Sequence, residues 1–208
     1  NGEPSTAVVT VNADGSGIPE KIAERSVQSP RCITLVEGKP VNIFEQDGDI
    51  YMQAFHSETK QKLVATQFSE TAPQVSPDGR WLSYASNESG SFAVYVRPFP
   101  TGEGRWQVFS TGGQYHCWSK DSAAIFGFNY DSRQVFRVSF HASPRVEVGS
   151  PQTLFSLPRD IGFEPALHPS GEKFLSGRNL PPRFKGEQVS IVLNWFDELK
   201  AKVPTTSR

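Results

Sequence analysis

Four histidines, two cysteines and a scatter of turn aspartates are the side chains through which this 208-residue chain could do chemistry. Their spacing decides how much of it is open. His56, His116, His141 and His168 show no ligand spacing, and the His-Glu-x-x-His pair that holds zinc on one helix face is missing. A Gly-x-Ser-x-Gly elbow, which would present a nucleophilic serine between a strand and a helix, is also missing. The stretch GEGRWQ, Gly102 to Gln107, starts like a phosphate-binding loop but lacks its third glycine and sits between two apolar runs. It reads as a hairpin loop. The kinase signatures HRD and DFG do not occur. Asp78, Asp121 and Asp131 could suggest calcium, but single aspartates in turns serve the backbone first. Asn87-Glu88-Ser89 matches the glycosylation triplet, a pattern common by chance. The expectation is no catalytic residue, no cofactor and no metal.

The elements that would position these residues repeat. Ser76-Pro77-Asp78-Gly79 has the composition of a type I turn, with proline second and glycine fourth. Trp118-Ser119-Lys120-Asp121-Ser122 and His168-Pro169-Ser170-Gly171 occupy the same slot, and a weaker copy ends at Gly38. These turns end at positions 38, 79, 122 and 171, at intervals of 41, 43 and 49. A period of that length suits a four-stranded propeller blade.

Each unit continues alike. A strand follows the turn, at Val41–Glu45, Trp81–Ser86, Ala123–Phe128 and Glu172–Ser176. A second tight turn comes next, at Asp47-Gly48, Glu88-Ser89-Gly90 and Asp131-Ser132. A third strand spans Asp49–Phe55, Ala93–Phe99 and Gln134–Phe140, and a fourth Gln61–Thr66, Trp106–Thr111 and Pro151–Leu157. TAVVTVNADGSGIPEKIAE, near the start, reads as a third and fourth strand joined by Asp14-Gly15, which is half a unit. Runs such as IFGF and LSYA are apolar on both faces, as in strands covered from both sides. The even spacing favours a propeller over an immunoglobulin-like sandwich. Asn194 to Val203, NWFDELKAKV, has apolar residues on one helical face and charges ordered to suit the helix dipole. A short C-terminal helix capping the last blade is expected there.

The expected fold is therefore all-β, a β-propeller of four-stranded antiparallel blades. About four and a half blades are present, a fragment of a six-bladed ring. Residues 1–27 form a half blade, 28–67, 68–111 and 112–157 one blade each, and 158–208 the last blade with the helix. The unpaired strand edges that such a fragment leaves invite self-association.

Bulk composition bounds the partners. Twenty-one basic and 22 acidic residues, well mixed, give a net charge of −1, so no basic stripe exists to neutralise phosphates and nucleic acid is disfavoured. No apolar run reaches 18 residues, so no membrane contact by this segment is expected. Cys32 and Cys117 stand 85 positions apart in apolar contexts, and two buried free thiols are favoured over a disulfide. Binding hot spots are enriched in aromatics and arginine, so Arg97, Phe99, Trp106 and Tyr115 are the first candidates for partner contact, with inter-blade packing an equal reading for Trp106. His116 and His168 fall near inner-strand ends beside a central channel. A ligand role is open to them, and a satisfied or solvent-facing imidazole is the simpler reading.

The segments EQDGDIYMQAF, SPDGRWLSYASNESG, VYVRPFP, RWQVFSTGG and VSIVLNWFDELKAKVP carry a resemblance. The chain resembles WD-repeat-like propellers of the TolB type, and in longer context the C-terminal propeller of bacterial serine/threonine protein kinases. The match runs from about Glu45 to Pro204. Trp118 to Ser122 and the Gly38 copy depart from its Pro-Asp-Gly form. The resemblance implies a non-catalytic, extracytoplasmic module that binds a protein or small-molecule ligand, attached to a signalling kinase. An accessory propeller of a peptidase and a free-standing periplasmic scaffold are the alternatives.

Overall fold

A computed structural model describes residues 7–10, 18, 20–24, 31–110, 115–129, 131–161, 166–168, 171 and 173–177. The Asp14-Gly15 turn and the helix expected at 194–203 lie outside the described residues. Contacts divide the chain into two compact units, Asn1–Gln114 and Tyr115–Arg208. All regular structure among the described residues is β.

The first unit begins with an antiparallel pair, β1 (Ala7–Thr10) and β2 (Glu20–Glu24). A four-stranded antiparallel sheet follows: β3 (Cys32–Val36), β4 (Lys39–Gln46), β5 (Asp49–Ala54) and β6 (Lys60–Val64), in sequential order. A second sheet repeats it with β7 (Glu70–Val75), β8 (Trp81–Ser86), β9 (Ala93–Pro98) and β10 (Trp106–Phe109). Sequential order with short turns is what a four-stranded meander gives.

The second unit holds β11 (His116–Trp118), β12 (Ala124–Asn129), β13 (Gln134–His141), β14 (Glu147–Val148) and β15 (Gln152–Ser156). Here the fourth strand of the blade is β15, paired with Gln134–Arg137 of β13. The additional strand β14 takes the far end of β13, at Phe140 and His141, because β13 outruns its partner. A last antiparallel pair, β16 (Ala166–Leu167) and β17 (Phe174–Leu175), follows.

Hydrophobic residues account for the stacking of the first two sheets. Val41, Ile43, Ile50, Met52, Leu63 and Val64 of the first sheet share one core with Leu82, Tyr84, Ala93, Tyr95 and Phe99 of the second. Each large side chain so buried contributes roughly 1.5–3 kcal/mol. Strand β7 packs over β3, β4 and β5, so the inner strand of one blade covers the inner strands of the blade before it. Central strands β8 and β9 are buried on both faces, as expected from their uninterrupted apolar runs.

Three turns superpose bond for bond. Gly79 N–H donates to Ser76 C=O at 2.8 Å, Ser122 N–H to Ser119 C=O at 3.0 Å, and Gly171 N–H to His168 C=O at 2.8 Å. Ser76, Ser119 and His168 each donate their own N–H to the carbonyl five residues on, at 2.8, 2.8 and 2.7 Å. The fourth position is left-handed in all three: Gly79 at φ 71°, Ser122 at φ 58° and Gly171 at φ 79°. Serine thus takes a glycine's backbone conformation in the WSKDS copy, so that departure changes the residue and keeps the turn. The Gly38 copy is different. Glu37 and Gly38, both at positive φ, make a two-residue hairpin with Val36 opposite Lys39.

Candidate functional site

The chemistry-bearing side chains are placed chiefly at turns and linkers, where they bond the backbone. Asp78 accepts from Ser76 Oγ, from Arg80 N–H at 3.2 Å and from Arg80 Nε at 2.8 Å, while Ser76 Oγ accepts Trp81 N–H at 3.0 Å. One blade on, Asp121 accepts from Ser119 Oγ at 2.6 Å and Ala123 N–H at 3.1 Å, and Ser119 Oγ accepts Ala124 N–H at 2.9 Å. Burial opposes ionisation of Asp78, but the Ser76 hydroxyl, the Arg80 guanidinium and the Arg80 N–H outweigh it and hold the carboxyl below its usual range. The Ser119 hydroxyl and Ala123 N–H do the same for the exposed Asp121. Both aspartates act as caps.

Among the described residues, two buried carboxylates would be the places to seek acid–base chemistry. Glu70, 1% exposed, accepts from Thr66 Oγ1 at 2.6 Å, Thr66 N–H at 3.3 Å and Ser86 Oγ at 3.3 Å. This ties the linker between the first two complete blades to β7 and β8. Glu45 accepts Ala72 N–H at 2.7 Å and faces Arg31 Nε at 3.2 Å, holding the left-handed kink of β7 against β4. Neither was singled out from the sequence as a functional candidate. A glutamate opening a strand, four residues after a linker threonine, is the signal that was there for Glu70. Burying a carboxylate costs heavily unless donors surround it, so these bonds account for both residues.

The six expected contact residues divide evenly between the units. In the first, Phe99 is 6% exposed and belongs to the core. The Arg97 guanidinium donates to Leu63 C=O at 2.6 Å and Gly102 C=O at 3.3 Å, bridging β9 to β6 and to the β9–β10 loop. Trp106 is half-buried, edge-on to Trp81 at 5.9 Å between ring centroids, and its ring also covers Gly104 so closely that a Cβ there would collide. In the second, Tyr115 is half-buried, His116 is 7% exposed and His168 is exposed in its turn. Phe99 and His116 are thus buried, while Arg97, Trp106, Tyr115 and His168 keep exposed surface.

His116 and Cys117 line a small cavity with Tyr115, Phe126, Phe128 and Phe174, of about 10 Å³. That volume holds about one water. Cys117 is a free thiol, and burial pushes its pKa up to about 11. Cys32, likewise free, is raised by burial too, with the Val75 backbone hydrogen bond acting in the opposite sense. Both are half-buried. Among the described residues, no group of three or more His, Cys, Asp and Glu converges as a metal site.

A third polar cluster joins the β8–β9 turn to the loop before β10. Arg105 pairs with Glu88 and lies 4.9 Å over the Tyr95 ring, which stacks on Tyr84 at 5.9 Å. Burial pushes both phenols up. The cation–π contact and the ion pair brace the hairpin ends against each other.

Four-stranded antiparallel meanders that stack inner strand over inner strand, with one turn recurring in register, define a β-propeller. Comparison with solved structures agrees at the level of the fold. The chain is similar to an oligogalacturonate lyase in complex with manganese (TM-score 0.60, 17% identity, 85% of this chain and 52% of that one). It is also similar to the putative TolB from Agrobacterium tumefaciens (TM-score 0.53, 18% identity, 72% of this chain and 56% of that one). The chain thus spans about half the length of these propellers. No protein-family model matches it, and a search of curated proteins finds no match.

Proposed function

We propose that the chain is a non-catalytic propeller module of the TolB-like kind, an extracytoplasmic scaffold that binds a protein partner. The observation that carries this reading is the use made of its polar side chains. Ser76, Asp78, Ser119 and Asp121 close turns, Glu70 holds a linker and Arg97 braces two blades. Groups that in an enzyme would face a substrate are here committed to the backbone, and the Cys117 thiol is held in its unreactive form. The similarity to a putative TolB supports the propeller type. Attachment to a signalling kinase is a second reading, favoured by the sequence resemblance through VYVRPFP and the VLNWFDELK tail.

The test is photocrosslinking in cells, with a benzoylphenylalanine residue at Trp106 or His168 in the full-length gene product and at the buried Ile43 as control. Adducts to one defined protein from the two surface positions, together with recovery of the product in the extracytoplasmic fraction, are expected. Cytoplasmic recovery, or equal labelling at Ile43, would overturn the proposal.

A further inference from the structure

We infer that a protein partner docks on the linker between β6 and β7, residues 65–69, with Phe68 as anchor and Asp47 beside it. This rests on the protein-binding role proposed above and names the surface that performs it. Two turns grip the linker. Glu70 accepts Thr66 N–H at 3.3 Å and the Thr66 hydroxyl at 2.6 Å, and the same hydroxyl accepts Phe68 N–H at 3.0 Å. Glu70 N–H donates to Gly48 C=O at 2.7 Å, which seats the linker on the β4–β5 turn. From the β8–β9 turn, Asn87 Oδ1 accepts Ser69 N–H at 2.9 Å, and Asn87 N–H donates to Ser69 C=O at 3.4 Å.

Apolar packing could close a connection of this length. Here a carboxylate that is 1% exposed closes it, and burying a carboxylate is costly even with donors around it. Local rules are broken in this way where function requires it. The clamp displays residues 65–68, all of them exposed. Phe68 is 37% exposed, whereas Phe44, Tyr84, Tyr95 and Phe99 of the same two sheets are buried. An isolated exposed aromatic needs no explanation by itself. Phe68 differs because the peptide N–H groups on both sides of its Cα are bonded, so its backbone is fixed before a partner arrives. An aromatic held in place loses little freedom on binding, which is the property of an anchor residue.

The turn beneath adds a charge. A Cβ on Gly48 would lie 3.9 Å from the Phe68 carbonyl oxygen, so the β4–β5 turn and the linker form one surface. Asp47, the residue before Gly48, is exposed, and its carboxylate accepts Gln46 Nε2 at 3.2 Å. Gln67 and Ser89, also exposed, supply a polar rim. The matching partner is a protein with an apolar pocket for the Phe68 ring, bordered by a lysine or arginine that meets Asp47.

Benzoylphenylalanine at Gln67 in the full-length gene product, photocrosslinked in cells, tests the surface. One defined adduct is expected, mapping by mass spectrometry to apolar residues of the partner next to a lysine or arginine. The partner so identified is then purified and titrated against the full-length product. Phe68→Ala is expected to weaken binding by roughly tenfold or more. Asp47→Asn keeps a residue that tolerates the φ of 53° and is expected to weaken binding about threefold, with a shallower salt dependence. Both variants should melt at the wild-type midpoint. Adducts from Trp106 or His168 with none from Gln67 would sink this surface and leave the scaffold role standing, whereas no adduct from any of the three would remove both. Wild-type affinity in Phe68→Ala, a lowered melting midpoint that makes Phe68 a packing residue, or a crosslink to an acidic patch would each overturn the inference.

Discussion

Position 79 and position 122 occupy the same place in consecutive blades, one a glycine at φ 71° and the other a serine at φ 58°. Reciprocal substitution tests whether the turn is pure architecture. A Cβ built on Gly79 meets nothing within 4 Å, so Gly79→Ala costs only the left-handed backbone conformation, about 1–2 kcal/mol for an L-residue, of which the stiffer unfolded chain returns about 0.4–1 kcal/mol. Ser122→Gly removes the same strain from the second unit. It also gives the unfolded chain more freedom, which takes back about 0.4–1 kcal/mol. The net gain expected at 122 therefore matches the net loss at 79 in size, each about 0.5 kcal/mol after that entropy is subtracted. At this domain size, 1 kcal/mol moves the melting midpoint by roughly 4–8 °C. Differential scanning calorimetry should show Gly79→Ala lowering the transition of the first unit, and Ser122→Gly raising that of the second by a similar amount. A neutral Gly79→Ala, or a Ser122→Gly as damaging as Gly79→Ala, would refute the reasoning, because the bonds that define the turn would then not depend on left-handed backbone.

Two further outcomes follow from the same side chains. Asp78 and Asp121 have pKa values lowered by folding, so the stability they contribute is complete above their unfolded pKa, near 3.8, and is lost as pH falls through the lower folded values. Thermal melts from pH 5 to pH 2 should therefore steepen below pH 4, and Asp121→Asn should flatten part of that slope; an identical slope would argue against the cap. Cys117, with its thiol at about 11, should alkylate at pH 8 roughly a hundredfold more slowly than an ordinary cysteine and at full speed in guanidinium. Fast native labelling, located by mass spectrometry, would contradict its burial.

The blade repeat was legible because it is local. Ser76, Asp78 and Gly79 specify a turn through their own bonds and backbone preference, and the strands Trp81–Ser86 and Ala93–Pro98 follow from apolar runs of strand length. Even the aberrant WSKDS copy kept its place, since Ser119 and Asp121 supply the same two oxygens. The burial of Phe99 and His116 was not legible, because residue type cannot say which face of a strand meets a neighbouring sheet.

That depends on stacking between segments far apart in the chain. Phe99 entered the core and Arg97 found Leu63, 34 residues upstream, only once the second sheet lay on the first. Glu45 and Glu70 are held buried by donors that β7, β8 and the linker before β7 supply. The extra strand β14 arose from the unequal lengths of β13 and β15, which no periodicity announces. Turn chemistry and strand order were thus properties of the sequence. Which side chains were buried, bonded or left exposed on Ile33, Leu35 and Leu175 was decided by the tertiary structure, because burial is a relation between sheets and not a property of a residue.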